Sequence, residues 1–233
     1  MKTIKRFFAF LILIVIAVSA GIIYLGYNKY IKALEAKPLD AAAEEVRSIE
    51  HYTQITEVPQ IYIDAVVATE DRRFYYHNGF DIVGTARAII TDIKERKLVE
   101  GGSTITQQLA KNLYFPADNS PTRKIAEIFM AVNIEKEYAK EDIFELYMNV
   151  IYFGSGYYNI YDASMGYFEK IPANMNDYES TLLAGVPNAP SLYSPKVNSE
   201  LAHKRQEKVV DCLLKSKYID EERADKILSV KNT

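Results

Sequence analysis

The sequence predicts a mainly α domain behind a single N-terminal membrane-spanning helix. Three observations carry that reading: an uncharged apolar run near the N-terminus, a succession of segments whose apolar residues recur at helical spacing behind capping residues, and a scarcity of strand-like alternation. At 233 residues, 48% of them hydrophobic, the chain has room for one sizeable domain and short appendages.

The apolar run comes first. From Phe7 to Tyr27 the sequence FFAFLILIVIAVSAGIIYLGY holds no charged residue, and at ~1.5 Å per residue a helix of that length matches a ~30 Å hydrocarbon core. Lys2, Lys5 and Arg6 precede it, so residues 1–6 are expected in the cytoplasm and everything beyond the span outside. Val18-Ser19-Ala20 resembles a processing site, but apolar residues continue through Ile22, Ile23 and Leu25, which favours an uncleaved anchor over residues 7–27. Residues 28–50, rich in Ala, Lys and Glu and broken by Pro38, read as a helical stalk, leaving 51–233 as the domain proper.

Helical patterns then follow one another. Asp81 is placed to cap a helix with Ile82, Ala86, Ile89, Ile90 and Ile93 along one face. Its outer side carries Arg87, Lys94, Arg96 and Lys97, which are either a solvated face or a hold on anionic headgroups. Thr104-Ile105-Thr106-Gln107 has the T-x-x-Q form of a capping box, so a turn at Gly101 and Gly102 launches a helix through Leu113. Ser120-Pro121 opens another, with Ile125, Ile128, Phe129 and Val132 as its stripe and Arg123 and Glu127 on the opposite, exposed side. A further helix is expected from about Glu141 to Val150, with Ile143, Leu146, Tyr147 and Val150 inward. Asp177 to Ala184 forms the next, stopped by Gly185 and Pro187, and the tail from Asn198 supplies two more.

Composition removes several function classes. A formal net charge of -3 argues against the broad basic field that nucleic acid requires. Cys212 is the only cysteine, which excludes an internal disulfide and a cysteine-based zinc cluster. His51, His77 and His203 lack any HExxH-type spacing. Most of the 18 tyrosines read as packing residues with hydroxyls at the surface.

Five blocks concentrate the chemistry: EDRRFYYHNGFD (Glu70 to Asp81), GGSTITQQLAKN (Gly101 to Asn112), RKIAE (Arg123 to Glu127), ELYMNVIYFGSGYYNIYDASMGYF (Glu145 to Phe168) and LLAGVPNAPSLYSP (Leu182 to Pro195). Taken singly they are ordinary. Glu70 beside Arg72 and Arg73 is the pattern of a surface salt bridge, and Lys111, two turns after Thr104, that of a solvated lysine. Helix N-termini also attract anions, which gives Ser103 and Thr104 a second use.

Together the blocks resemble glycosyltransferase family 51, the peptidoglycan polymerases, over about Gln54 to Arg205. The resemblance implies a lysozyme-like domain of two lobes, one dipping into the outer leaflet of a bacterial cytoplasmic membrane. It implies polymerisation of lipid II, a disaccharide-peptide on a polyprenyl pyrophosphate: the 4-hydroxyl of one molecule attacks the anomeric carbon of a growing chain, the α-linked pyrophosphate leaves and a β-1,4 linkage forms. Such an inverting displacement needs a general base and positive charge for the leaving group, and no protein nucleophile.

The resemblance casts Glu70 as the base and Glu127 as the second acidic residue of the cleft, organising donor phosphate, a metal or the transition state. It gives Arg73 to phosphate or headgroup, with Arg72 in solvent, and Lys111 to the pyrophosphate. Ser103, Thr104, Gln107, Gln108, Asn112 and Arg123 complete the substrate contacts, one of the two glutamines being structural; Asn149 and Asn188 are hydrogen bonders that are not assigned to the sugar. A divalent cation, Mg or Mn, would be able to bridge carboxylate and pyrophosphate, although no sequence feature requires one. Partners implied are lipid II, the growing lipid-linked glycan, the membrane and proteins of wall synthesis or division.

Three positions depart from the family pattern. Asn159 and Glu169 stand where glycine is usual, and Ala126 replaces a frequent lysine, removing one expected phosphate contact. No serine is followed three positions later by lysine, so a monofunctional, penicillin-insensitive transglycosylase is expected. A muramidase-type hydrolase using Glu70 and Glu127, and a non-catalytic wall scaffold, are the rival readings.

Overall fold

A computed structural model describes residues 2–95 and 102–230. Arg96, Lys97 and Gly101 lie outside the described residues, as do the side chains of Lys2, Ile89, Ile93 and Lys94. In chain order the helices are α1 (Lys2–Ala36), α2 (Leu39–Arg47), α3 (Gln60–Glu70) and α4 (Ile82–Glu95), then α5 (Ile105–Tyr114), α6 (Pro121–Glu137), α7 (Lys140–Met148) and α8 (Ile160–Phe168). The last are α9 (Asp177–Gly185), α10 (Pro190–Tyr193), α11 (Ser199–Lys215) and α12 (Glu221–Ser229). No strand occurs among the described residues, so the mainly α expectation holds.

Helix α3 is the axis of the domain, and its sequence explains why. Ile61, Tyr62, Ile63, Ala65, Val66, Val67 and Ala68 are all buried, so the helix is apolar on every face and must be surrounded. Helices α9 and α11 cover one side, while Tyr62 meets Phe144 of α7 on another. The charged residue at its end, Glu70, is thereby carried out of the core and into a cleft.

Helix α1 is long and apolar enough to cross a membrane: Ile4–Ala36 includes an 18-residue window of mean hydropathy 2.8 with none of it buried. Its C-terminal part is different. Tyr27 and Tyr30 lie 5.2 and 6.0 Å, ring to ring, from Phe129 of α6. A Cβ at Gly26 would stand 2.5 Å from the Ile125 side chain, so this position has to be glycine for the two helices to approach so closely. Lys29 pairs with Asp118 and donates to Ser120 Oγ at 2.7 Å, just before α6 begins.

Two corrections follow. Residues 28–50 do not stand clear as a stalk: Leu39, Ala43 and Val46 are part of the main core, and Tyr30, Ala33 and Leu34 pack on it. Their alanines and leucines form an apolar face that burial stabilises, and Pro38 marks the junction between α1 and α2 rather than a break in a free rod. On α4 the described members of the stripe, Ile82, Ala86 and Ile90, do not face inward. Ile82, Val83 and Ile90 are exposed, while Ala88 is buried and Gly84, Thr85 and Arg87 border the cleft.

Candidate active site

The site is assembled by a buried polar clasp between α3 and α5. Asp71, directly after α3, accepts the Ile105 backbone N–H at 3.0 Å, which pins the start of α5 to the end of α3. Its carboxylate also lies 2.8 Å from His77 Nε2, while the Gly79 N–H donates to His77 Nδ1 at 3.2 Å, so Nε2 carries the proton that Asp71 receives. Thr106 donates to Glu135 at 2.6 Å, and Lys140 bridges Glu135 and the His77 carbonyl at 2.7 and 2.8 Å. Each buried charge in the clasp thus has a partner, which low-dielectric burial demands.

The capping box anticipated at the head of α5 is present. Thr104 Oγ1 accepts the Gln107 N–H at 3.1 Å, the Gln107 Oε1 accepts the Thr104 N–H at 3.0 Å, and the Thr104 hydroxyl donates to the Gly79 carbonyl at 2.7 Å. Thr104 and Gln107 are therefore structural first, although the Gln107 Nε2 has no partner among the described residues and its residue lines the cleft. Gln108, one position on, faces Glu70 and donates to its Oε2 at 3.0 Å.

Glu70 pairs with neither neighbouring arginine. Its Oε1 accepts from Arg205 Nη2 of α11 at 3.2 Å, and its side chain is only 6% exposed. Beyond Gln108 stands Tyr147, whose hydroxyl lies 3.4 Å from Gln108 Oε1 and is held well above its ordinary range by burial, with Glu70 adding to the effect. A phenol so placed stays protonated and acts as a donor.

On the other wall, Glu127 of α6 is buried, which overturns the exposed i,i+4 pair expected from periodicity. Arg123 pairs with one oxygen and Lys124 lies 3.2 Å from the other; Lys124 also donates to Ser103 Oγ at 2.6 Å. Burial pushes the Lys124 ammonium below the usual lysine range, with Glu127 opposing the shift. The physical reason for the error is that α6 has two apolar faces: Ile125 and Phe129 meet α1, while Ala126, Met130 and Ile134 enter the core, leaving Glu127 between them at the cleft wall. Ala126 is fully buried in that core, so a residue there has no direct view of phosphate and its replacement of a frequent lysine is a packing matter.

Two adjoining hollows of about 310 and 360 Å³ share Glu70, Ser103 and Asn188. Gln107, Gln108, Lys111, Arg123, Lys124 and Glu127 line the larger, so seven of the ten anticipated site residues, Glu70 and Ser103 included, meet there. Arg72, Arg87, Arg205, Lys208 and Lys215 line the smaller, with Thr104, Asp81 and Asp211. Four residues fall elsewhere than at the anticipated wall. Arg73 lies 3.3 Å from the Asp81 carboxylate and borders neither hollow, whereas Arg72, assigned to solvent, borders one. Asn112 donates to the Gln108 carbonyl at 2.9 Å along its own helix and is absent from both walls. Asn149 is buried and bonded to the Thr53 backbone at 2.8 and 2.9 Å, away from the cleft.

Sequence reasoning passed over Lys124 and Arg205. Lys124 was available from the RKIAE block as a second cation one residue from Arg123; Arg205 carries no local signature. Among the described residues no group of His, Cys, Asp and Glu is arranged to hold a metal ion, and Glu70 and Glu127 are each already engaged by a cationic side chain.

The transglycosylase family model matches residues 37–213, most of the chain. Among curated proteins, penicillin-binding protein 1F of Bacillus subtilis is 37% identical over 96% of this chain and 33% of its own length. Penicillin-binding protein 2D of the same organism is 41% identical over 76% of the chain and 26% of its length. Penicillin-binding protein 1A of Aquifex aeolicus is 42% identical over 77% of the chain and 25% of its length. The chain therefore spans about a quarter to a third of these relatives. With the family match starting at residue 37, in the segment just before α2, and covering every block that lines the cleft, the chain belongs to the transglycosylase family.

Proposed function

We propose that this protein polymerises a lipid-linked disaccharide into glycan strands of peptidoglycan by inverting glycosyl transfer. The observation that carries this reading is the position of Glu70: a buried carboxylate at the meeting point of two hollows, each lined by cations. Two cation-lined hollows suit two diphosphate-bearing substrates. A finished glycan strand has no diphosphate and would leave these cations without a function, which disfavours the muramidase reading.

In the proposed reaction the growing chain binds with its diphosphate against Lys111, Arg123 and Lys124, and the incoming lipid II binds on the Arg72 and Lys208 side. Its 4-hydroxyl attacks the anomeric carbon, the hydroxyl proton passes to Glu70, and the anomeric C–O bond breaks with its electron pair on the departing diphosphate. Lys111, Arg123 and Lys124 receive that charge in fixed positions, where it is worth more than in water. Glu127 holds Arg123 and Lys124 in place. With Glu70 and Glu127 already engaged by cationic side chains, a divalent cation would have only the diphosphate itself to hold it here.

Helix α1 acts as the anchor, and the exposed Ile82, Val83 and Ile90 of α4 lie against the membrane, with the domain on the extracytoplasmic side. The test is polymerisation of purified lipid II, scored by gel, for wild type and Glu70→Gln. The variant keeps size and hydrogen bonding and loses the proton acceptor, so turnover falls by about 10² to 10⁴. A folded Glu70→Gln protein that polymerises within about threefold of wild type sinks the assignment. Release of soluble sugar from finished wall, without lipid substrate, supports the hydrolase instead.

A further inference from the structure

Arg205 reaches Glu70 from a distant part of the chain. The two residues are 135 positions apart, one on α11 and the other at the end of α3, and their side chains are 13% and 6% exposed. Arg205 is held from three directions. Nη2 lies 3.2 Å from Glu70 Oε1, Nε donates to the Gly185 carbonyl at 3.4 Å, and the guanidinium stands 5.8 Å from the Tyr193 ring centroid. The opening through which its stem passes is closely sized: a Cβ at residue 185 would come within 3.0 Å of Arg205 Cγ and 3.3 Å of Val209 Cγ2.

Two donors from different elements therefore hold the two oxygens of Glu70, Gln108 on Oε2 and Arg205 on Oε1, and of these only Arg205 carries charge. A buried carboxylate deprived of its paired cation loses the contact that fixes it and turns toward other donors or solvent. That change disables a base. We propose that Arg205 is the positioning residue for Glu70: it supplies the counter-charge and fixes the carboxylate's orientation toward the incoming hydroxyl, without itself touching the reacting atoms. Gly185 and Tyr193 belong to the same device, because they fix the guanidinium. The inference rests on Glu70 being the general base.

The experiment compares Arg205→Met, Arg205→Lys and Gly185→Ala with wild type in the polymerisation assay, with thermal melting to confirm folding. Removing the charge takes part of the general-base contribution, so Arg205→Met lowers kcat by about 10- to 100-fold and changes KM for lipid II by less than about threefold. Lysine keeps the charge but not the planar fork, and recovers about a third to a half of wild-type kcat. Gly185→Ala, which leaves both charges in place and crowds the arginine stem, lowers kcat in the same direction.

A rise in KM with kcat preserved overturns the proposal, because Arg205 is then a substrate contact. So does an Arg205→Met or a Gly185→Ala protein whose kcat stays within about threefold of wild type, or a loss that lysine does not relieve. The failures separate cleanly. Wild-type polymerisation that disappears in Glu70→Gln upholds the base whatever the Arg205 variants do, whereas loss in neither Glu70→Gln nor Arg205→Met removes both.

Discussion

Glu127 sits among positive charges: Arg123 and Lys124 pair with it, and Lys111 lines the same hollow. Replacing it by glutamine leaves those cations without their counter-ion, so they spread, and the proposed diphosphate pocket loses its shape. Glu127→Gln is expected to lower polymerisation and to alter the affinity of a phosphoglycolipid inhibitor of the donor site, whereas Glu70→Gln changes that affinity little. Lys111→Ala should weaken the same inhibitor by roughly 1.5 to 3 kcal/mol, the value of a hydrogen bond to a charged group. Inhibitor binding by fluorescence, run beside the rate assay, checks both; unchanged affinity in Glu127→Gln removes its organising role. At this scale Glu70, Gln108, Lys111 and Arg123 could be singled out from the sequence because they sit within compact blocks, and they line one hollow. The sequence reading put Arg72 in solvent and Glu127 on an exposed face, since a block gives order along the chain and not the direction in which a side chain points. Arg205 was out of reach: its partner is on another helix, and no spacing encodes that meeting.

Among the elements, α8 ends on Glu169, which adopts φ 56°, ψ 31°, the left-handed conformation that favours glycine. Its backbone N–H caps the Met165 carbonyl, so the geometry is fixed by the cap even though the residue is unsuited to it. Glu169→Gly is expected to stabilise the domain by ~1 kcal/mol and to raise Tm by ~2 to 4 °C without changing activity, measured by calorimetry. No change or a fall in Tm contradicts the strain. Asn159, the other departure from glycine, is useful as it stands: it caps α8, accepting the Asp162 N–H at 2.7 Å. Helix positions were largely legible, from the Thr104 capping box to the Asn198 cap of α11. The faces were less so. Periodicity finds the stripe Ile82, Ala86 and Ile90 on α4 but does not say whether protein or another apolar medium covers it, and a helix buried on two sides, as α6 is, presents no single stripe to find.

For the molecule as a whole, removing residues 1–27 takes away both the proposed membrane span and the Gly26 and Tyr27 contacts with α6. The remaining domain keeps its core, including Tyr30, Leu34 and Leu39, and is expected to fold. It should polymerise poorly on membrane vesicles, where enzyme and substrate no longer share one two-dimensional phase, and retain some activity in detergent. Full activity of the truncated form on vesicles contradicts the anchored arrangement.

That docking of α1 on α6 has a mechanical meaning. The 35 residues of α1 form one unbroken rod, ~50 Å long at ~1.5 Å per residue, and its end is locked to the domain by Gly26, Lys29 and Tyr30. There is no hinge between the part that spans and the part that docks. On the proposed arrangement, any tilt that the rod adopts to match bilayer thickness, ~20° for an average span, is passed undiminished to the cleft. A thicker or thinner bilayer would rotate the two hollows together relative to the lipid surface. The height and angle at which a polyprenyl tail must enter thus become properties of the membrane as much as of the enzyme.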